Sequence, residues 1–458
     1  MCIRDRNLTE DKISSLIRKI AIPSSIGTLF QTLYNIVDVY FAGLISAGAI
    51  TAIAKSFPIY FIIIGATTGL SIGVTALIAN ALGKGDSKNA SLIFAQSIIV
   101  CVFFSLIVTV IGVWVTEPVL IFLNTGFEII SYGTDYMDII FYGSILFFLQ
   151  LTLNSYLVSN GDTKSLRNVL IVSFFLNLFL NPVLIYGFWI IPAMGISGIA
   201  LATLIAQLYG LLYIIYKVSK TDLKKYIHPN YFLPKYLILI DIIKQAIPAT
   251  GSMMFIGIGV FVLLFYVSTY GDYSAGGYGA AIRFEQLFLL PVLGLNASTL
   301  SLVGQNFGAL KFNRIRDTYF RSILYGSVFM ILCGVFIFFG SYYIMAFLSS
   351  DEQIIYYGST YLKIAAFAGP CYPIFFISSA LLQGLKKPLY SMVINLMRMV
   401  ILPVIALTFS VIYLKVPFIG MFMVILTINY IFAALVLWFC KQQIDRENNI
   451  YNPNLAAV

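Results

Sequence analysis

Four polar side chains in a largely apolar stretch, PSSIGTLFQTLYNIVDVYFAG at 23–43, are spaced to do chemistry. Gln31, Tyr34, Asn35 and Asp38 fall at i, i+3, i+4 and i+7, which places them on one helical face. A carboxylate within an apolar span costs on the order of 2.5–3.5 kcal/mol or more, so it normally faces a bundle interior or a wet cavity. The chemistry that fits is reversible binding of a proton or of a monovalent cation at Asp38. The competing reading is a structural carboxylate paired with Lys55, which lies a few residues into the next span.

Asn177 and Asn181, one turn apart on a later span, can coordinate a cation through amide oxygens or hydrogen-bond between helices. Thr203, one span further on, has the same capacity. Arg283 and Glu285 are two apart and point to different faces. With Lys363 and Arg398 they read as ends of structural ion pairs in the second half of the chain, or, for Glu285, as a second proton site. Pro23, Pro58, Pro182, Pro248, Pro291 and Pro403 can kink helices, and of these Pro23 and Pro248 are the candidate hinges.

The elements that must position these residues are membrane spans. The 458 residues are 60% hydrophobic and 10% charged, with a mean hydropathy of +0.93. Apolar runs recur along the whole chain, each long enough to cross about 30 Å of hydrocarbon. They are continuous, which excludes the alternating pattern of a membrane β-barrel. Spans are expected near 17–44, 51–81, 91–115, 131–158, 167–190, 195–217, 238–270, 276–307, 318–347, 355–383, 390–414 and 418–440. The fold class is all-α and polytopic, with twelve transmembrane helices.

Charge sets the orientation. With the N-terminus cytoplasmic, 23 of the 28 Lys and Arg fall on that side, and the opposite loops keep only Lys415. Both termini are therefore expected in the cytoplasm. This distribution also accounts for the net charge of +9 without nucleic acid. The five cysteines (Cys2, Cys101, Cys333, Cys371, Cys440) form no CxxC pair, and the one histidine, His228, lies in a loop. Disulfide, metal-cluster and triad chemistry have no support, and no nucleophile–base set marks an enzyme. The first apolar run is too long for a cleaved signal peptide. The opening MCIRDR fits nothing that follows and reads as an assembly artefact.

The chain repeats itself at an offset of 225. KIAIP at 19–23 returns as KQAIP at 244–248, Gly69-Leu70 and Gly83 as Gly294-Leu295 and Gly308, and Tyr132-Gly133 with Tyr136 as Tyr357-Gly358 with Tyr361. Six spans per repeat is even, so the halves insert in the same orientation. The expected organisation is an N-terminal six-helix lobe at 1–217, a cytoplasmic linker at 218–237 and a C-terminal six-helix lobe at 238–458. Two lobes around a central cavity are the architecture of an alternating-access carrier. The repeat is asymmetric where chemistry is concerned: Gln31, Tyr34, Asn35 and Asp38 map onto Ile256, Gly259, Val260 and Leu263.

YNIVDVYFAG at 34–43, the half-repeat motifs ending in Gly83 and in VGQNFGA at 303–309, NLFLNP at 177–182 and the paired prolines carry a family likeness. The chain resembles the MATE family of multidrug and toxic compound extrusion transporters, in its DinF-like and MepA-like bacterial branch, along nearly its full length. The resemblance implies a secondary antiporter of the cell membrane, with the lipid bilayer and small amphiphilic or cationic substrates as partners. A monomer is expected, with H+ or Na+ as the coupling ion and no other cofactor. It makes Asp38 the leading ion site, with Tyr34 beside it. Where this branch carries an aspartate before the fifth-helix proline, this chain has Asn181. The acids of NorM-like relatives on the seventh and tenth helices are missing here. A lipid-linked saccharide flippase and a non-transporting receptor or scaffold are the alternatives.

Overall fold

The computed structural model describes residues 7–123 and 126–451; MCIRDR, and with it Cys2, lies outside them. The chain is a succession of helices. The first repeat holds α1 (Ile13–Ile45), α2 (Ala47–Gly83), α3 (Ser87–Phe122), α4 (Phe127–Tyr142), α5 (Ser144–Ser159), α6 (Lys164–Tyr186) and α7 (Ile196–Ser219). A short helix, α8 (Leu223–Tyr226), and a 3-10 turn (Pro229–Phe232) lead to the second repeat. There α9 (Tyr236–Ser268), α10 (Asp272–Gly308), α11 (Phe312–Leu348), α12 (Glu352–Ala368) and α13 (Cys371–Gly384) follow. The next span is broken into α14 (Pro388–Leu396), a π-helical turn (Met397–Ile401), α15 (Leu402–Leu407) and a second π turn (Thr408–Tyr413), before α16 (Phe418–Tyr451).

Among the described residues nine helices are long and apolar enough to cross a membrane, or eleven if the bent pairs α4–α5 (44°) and α12–α13 (53°) each count as one span. α1 is not among them because its polar stripe dilutes its hydropathy. At 33 residues it is nevertheless about 50 Å long.

The offset of 225 holds helix by helix. Shifted by it, α2 lands on α10 residue for residue, and the two bent pairs land on one another. Even turn geometry repeats: Gly85 and Gly161 have positive φ, and so do their counterparts Leu310 (57°) and Lys386 (60°), where no glycine is present. A left-handed conformation costs a side-chain-bearing residue roughly 1–2 kcal/mol, so tertiary packing, not local preference, holds those two turns.

The chain forms two compact units that are not contiguous halves divided at 218–237. One is Ile26–Thr250; the other joins the described residues of Arg6–Ser25 and Gly251–Val458. α1 thus changes unit between Ser25 and Ile26, and α9 between Thr250 and Gly251, two repeat-equivalent points. Each follows its proline by two residues. The apolar cores reflect this exchange. Leu16, Ile17 and Ile20 are buried with Leu302, Tyr319 and Leu381 in the second unit. Ile242 and Ala246 are buried with Val74, Ile78 and Leu157 in the first.

Close approach at the exchange points requires glycine. A Cβ on Gly69 of α2 would overlap the backbone of Thr250, and one on Gly294 of α10 would overlap the Ala21 carbonyl oxygen and the Ser25 hydroxyl. The glycine pair that marks the repeat in the sequence is thus a pair of helix-crossing contacts.

The segment before α1 is held by side chains of the second unit. Arg314 donates to the carbonyls of Leu8 (3.3 Å), Glu10 (3.3 Å) and Asp11 (2.7 Å), and Asn306 donates to Leu8 (3.1 Å). The segment before α9 is held in the first unit by Gln96, which donates to the carbonyls of Tyr231 and Leu233. The bonds from the charged Arg314 contribute about 1.5–3 kcal/mol each where desolvated, and the neutral Asn306 and Gln96 bonds about 0.5–1.5 kcal/mol each. Arg314→Ala is expected to raise amide exchange of residues 8–12 at least ~10-fold, since a tenfold change needs only ~1.4 kcal/mol. Unchanged exchange would show that apolar packing of Leu8 alone holds the segment.

Candidate functional site

The site in the first unit is built from three helices around one carboxylate. α1 presents Asp38, α6 presents Asn177 and Asn181, and α7 presents Thr203. Asp38 is 6% exposed. Its Oδ1 accepts from Asn177 Nδ2 (3.0 Å) and Asn181 Nδ2 (3.1 Å), and its Oδ2 accepts from the Thr203 hydroxyl (3.2 Å). Asn181 Nδ2 also donates to Asn177 Oδ1 (3.1 Å), which locks the two amides one helical turn apart. Asn177, Asn181 and Thr203 are themselves buried.

The sites read from sequence separate into those brought together and those left apart. Asp38, Asn177, Asn181 and Thr203 converge. Tyr34 is buried on the Asp38 side of α1 with Thr203 nearby, and among the described residues its hydroxyl has no partner in hydrogen-bond geometry. Asn35 and Gln31 are exposed and make no contact with the carboxylate. The reason is angular. At 100° per residue the stripe spans about 100° of the helix surface, and the interior of the unit covers only the edge carrying Tyr34 and Asp38. Lys55 is not the partner of Asp38; its ammonium donates to the Leu123 carbonyl at 3.0 Å.

Two tyrosines were not visible as site residues. Tyr60 on α2 and Tyr136 on α4 lie close enough to Asp38 for its charge to act on their hydroxyls. The signal that points to them is the repeat: they map onto Glu285 and Tyr361, and the Tyr361 hydroxyl donates to the buried Glu285 carboxylate. Each unit therefore holds a buried acid with tyrosine beside it, Asp38 on the first helix of one repeat and Glu285 on the second helix of the other. Glu285 is joined to Tyr361, not to a basic residue. Arg283 and Lys363 are exposed, and neither forms an ion pair among the described residues.

The Asp38 cluster can hold a monovalent cation or a proton. Its carboxylate is the only formal charge among the converging residues, so one monovalent cation neutralises it. Among the described residues two buried acceptors, Asn181 Oδ1 and the Tyr34 hydroxyl oxygen, have no hydrogen-bond partner. A buried polar atom without a partner costs roughly 1–3 kcal/mol. An ion or water that uses these oxygens recovers that cost.

Comparison with known proteins follows the same internal division. The MatE family profile matches residues 23–183 and again 248–408, two segments offset by 225. The probable multidrug resistance protein YoeA of Bacillus subtilis is 25% identical over 356 residues, covering 75% of each chain. The FAD transporter of Shewanella oneidensis is 24% identical over 409 residues, covering 87% of this chain and 89% of its own. A solved structure described as the outward-facing conformation of a multidrug resistance MATE family transporter of the MOP superfamily superposes with a TM-score of 0.89. It does so at 22% identity, over 96% of this chain and 98% of that one.

Proposed function

Because this chain belongs to the MatE family, whose profile covers both of its repeats, we propose that it is a multidrug efflux antiporter. It exports organic cations or amphiphiles in exchange for H+ or Na+ by alternating access, from a multi-pass position in the cell membrane with both termini cytoplasmic. Family membership makes it a transporter and not an enzyme.

One observation carries the coupling reading: a single carboxylate, Asp38, buried among three neutral donors from two other helices. Without a cation, those donors hold the anion. When H+ or Na+ arrives, the carboxylate no longer needs all three, and the packing of α1 against α6 and α7 changes. α1 is also the helix that changes unit two residues after Pro23, so a rearrangement at Asp38 has a direct path along one helix to that hinge, with Pro248 as its counterpart on α9. A membrane potential of 100 mV supplies about 2.3 kcal/mol per charge moved, before any concentration term.

The test is ethidium efflux from vesicles containing the wild-type protein, driven separately by a proton gradient and a sodium gradient. Efflux under one gradient and not the other identifies the ion. No efflux under either, with protein present in the membrane, overturns the proposal. The FAD transporter among the relatives favours a second reading, in which the exported compound is an aromatic anion. FAD loaded in place of ethidium in the same vesicles separates the two. The lipid-linked saccharide flippase draws less support, because a single cationic side chain, Arg398, lines the cavity in the second unit.

A further inference from the structure

The second unit contains the counterpart of the Asp38 site, and it is built for something else. Gln31, Asn35 and Asp38 are replaced there by Ile256, Val260 and Leu263, and all three line a cavity of about 170 Å³. Two charged side chains border the same cavity. Glu285 is 4% exposed and Arg398 is 8% exposed. The carboxylate accepts from Tyr361 through Oε2, has the Tyr372 hydroxyl nearby, and accepts no hydrogen bond at Oε1. The Arg398 Nε donates to Asn429 Oδ1 (3.3 Å), and among the described residues its terminal nitrogens find no acceptor. The guanidinium carbon lies 3.9 Å from the centre of the Phe375 ring and 5.3 Å from that of Tyr372. The two charges are not joined, and among the described residues no ion pair within 4.0 Å includes either one. The buried Tyr278 hydroxyl in the same wall also has no partner.

A structural ion pair recovers its desolvation cost by close contact and by filling the remaining hydrogen-bond positions. This pair does neither. Two opposite charges that line one small, mostly apolar cavity without pairing match a guest that carries both. A lone cation would meet Arg398, and a lone anion would meet Glu285, each in a medium where charges are weakly screened. The Tyr278, Tyr361 and Phe422 rings beside Glu285 add faces for an ammonium group. The guanidinium offers a two-nitrogen fork suited to a carboxylate. A cavity of roughly 150 Å³ accommodates a benzene ring, which sets the size of the apolar body. Arg398 itself sits on a π-helical turn, a helix irregularity that is frequent at functional sites. We propose that this cavity binds a small zwitterion with an ammonium and a carboxylate on an apolar body, of the size of an aromatic amino acid. The ammonium contacts Glu285 and the carboxylate contacts Arg398.

Three compounds that share the phenylethyl body and differ in which charged groups they carry test this on the purified full-length protein by titration calorimetry: L-phenylalanine, phenethylamine and 3-phenylpropionate. The zwitterion is expected to bind at least ~10-fold more tightly than the other two, a difference of ~1.4 kcal/mol. Arg398→Gln is expected to erase the preference over phenethylamine, and Glu285→Gln the preference over 3-phenylpropionate. Ala365→Phe, which fills the cavity while keeping both charges, is expected to abolish binding of all three. The proposal is overturned if the wild type binds the cation or the anion as tightly as the zwitterion, or binds none of them. Equilibrium binding needs no ion gradient and does not involve Asp38, so this result and the antiport result can fail independently.

Discussion

Replacing Asp38 by Asn is expected to lower ion-driven ethidium efflux at least ~100-fold at equal membrane abundance. Two unit charges 4 Å apart attract by about 4 kcal/mol at an effective dielectric of 20, and ~1.4 kcal/mol is already a factor of ten. Removing the only formal charge of the cluster therefore removes most of its affinity for a cation. Asparagine keeps the shape and one acceptor oxygen, so Asn177 and Asn181 retain a partner and the fold is expected to survive. Thr203→Val sets the scale for a neutral contact. It deletes one hydroxyl donor, worth about 1 kcal/mol, and is expected to cost less than tenfold. Equal efflux by Asp38→Asn and wild type would sink the coupling role and move attention to Glu285. Equal losses in both variants would point to packing instead of charge.

Gly69→Val and Gly294→Val are expected to abolish accumulation of folded protein in the membrane. Overpacking usually costs about 1–3 kcal/mol because neighbours shift, but here the first atoms met include backbone of the crossing helix. Thr250 nitrogen and Cα stand against Gly69, and the Ala21 carbonyl against Gly294. These cannot rotate away, and each lies within a few residues of the point where α9 or α1 changes unit. Gly279, on the same helix as Gly294, is the control: a Cβ there meets nothing within 4 Å. Gly279→Ala is expected to be neutral or to stabilise by up to about 1 kcal/mol through helix propensity. Detergent-extracted protein monitored by fluorescence size exclusion and thermal melting would check all three. Normal melting of either valine variant would mean that the crossing helices are not held at these contacts.

Local pattern and repetition determined a good deal. Hydropathy depends only on composition within a window, so the membrane class and most of the spans were legible directly. The offset of 225 was legible because both copies keep the residues that turns and close contacts demand, and it holds from α2 on α10 down to the bends of α4–α5 and α12–α13. Asp38 stood out because a carboxylate in an apolar span is costly wherever the helix packs. Its family likeness pointed to Asn177 and Asn181 as well, and Thr203 was a candidate by residue type alone.

Tertiary structure decided the rest, and in each case the cause is long-range. The partners of Asp38 lie 139, 143 and 165 residues away, and helical periodicity cannot say which edge of a polar stripe a neighbour will cover. That is why Tyr34 is inside and Asn35 is not. Lys55 lies at a suitable sequence position to pair with Asp38, yet its amine reaches the carbonyl of Leu123, a choice made by how α2 packs on α3. The exchange of the first halves of α1 and α9 between units leaves no mark in hydropathy, because a helix buried in either unit needs the same apolar surface. Glu285 and Arg398 read alike as ends of ion pairs, and only their placement in the lining of one cavity without an ion pair distinguishes the proposed binding site from a structural bridge.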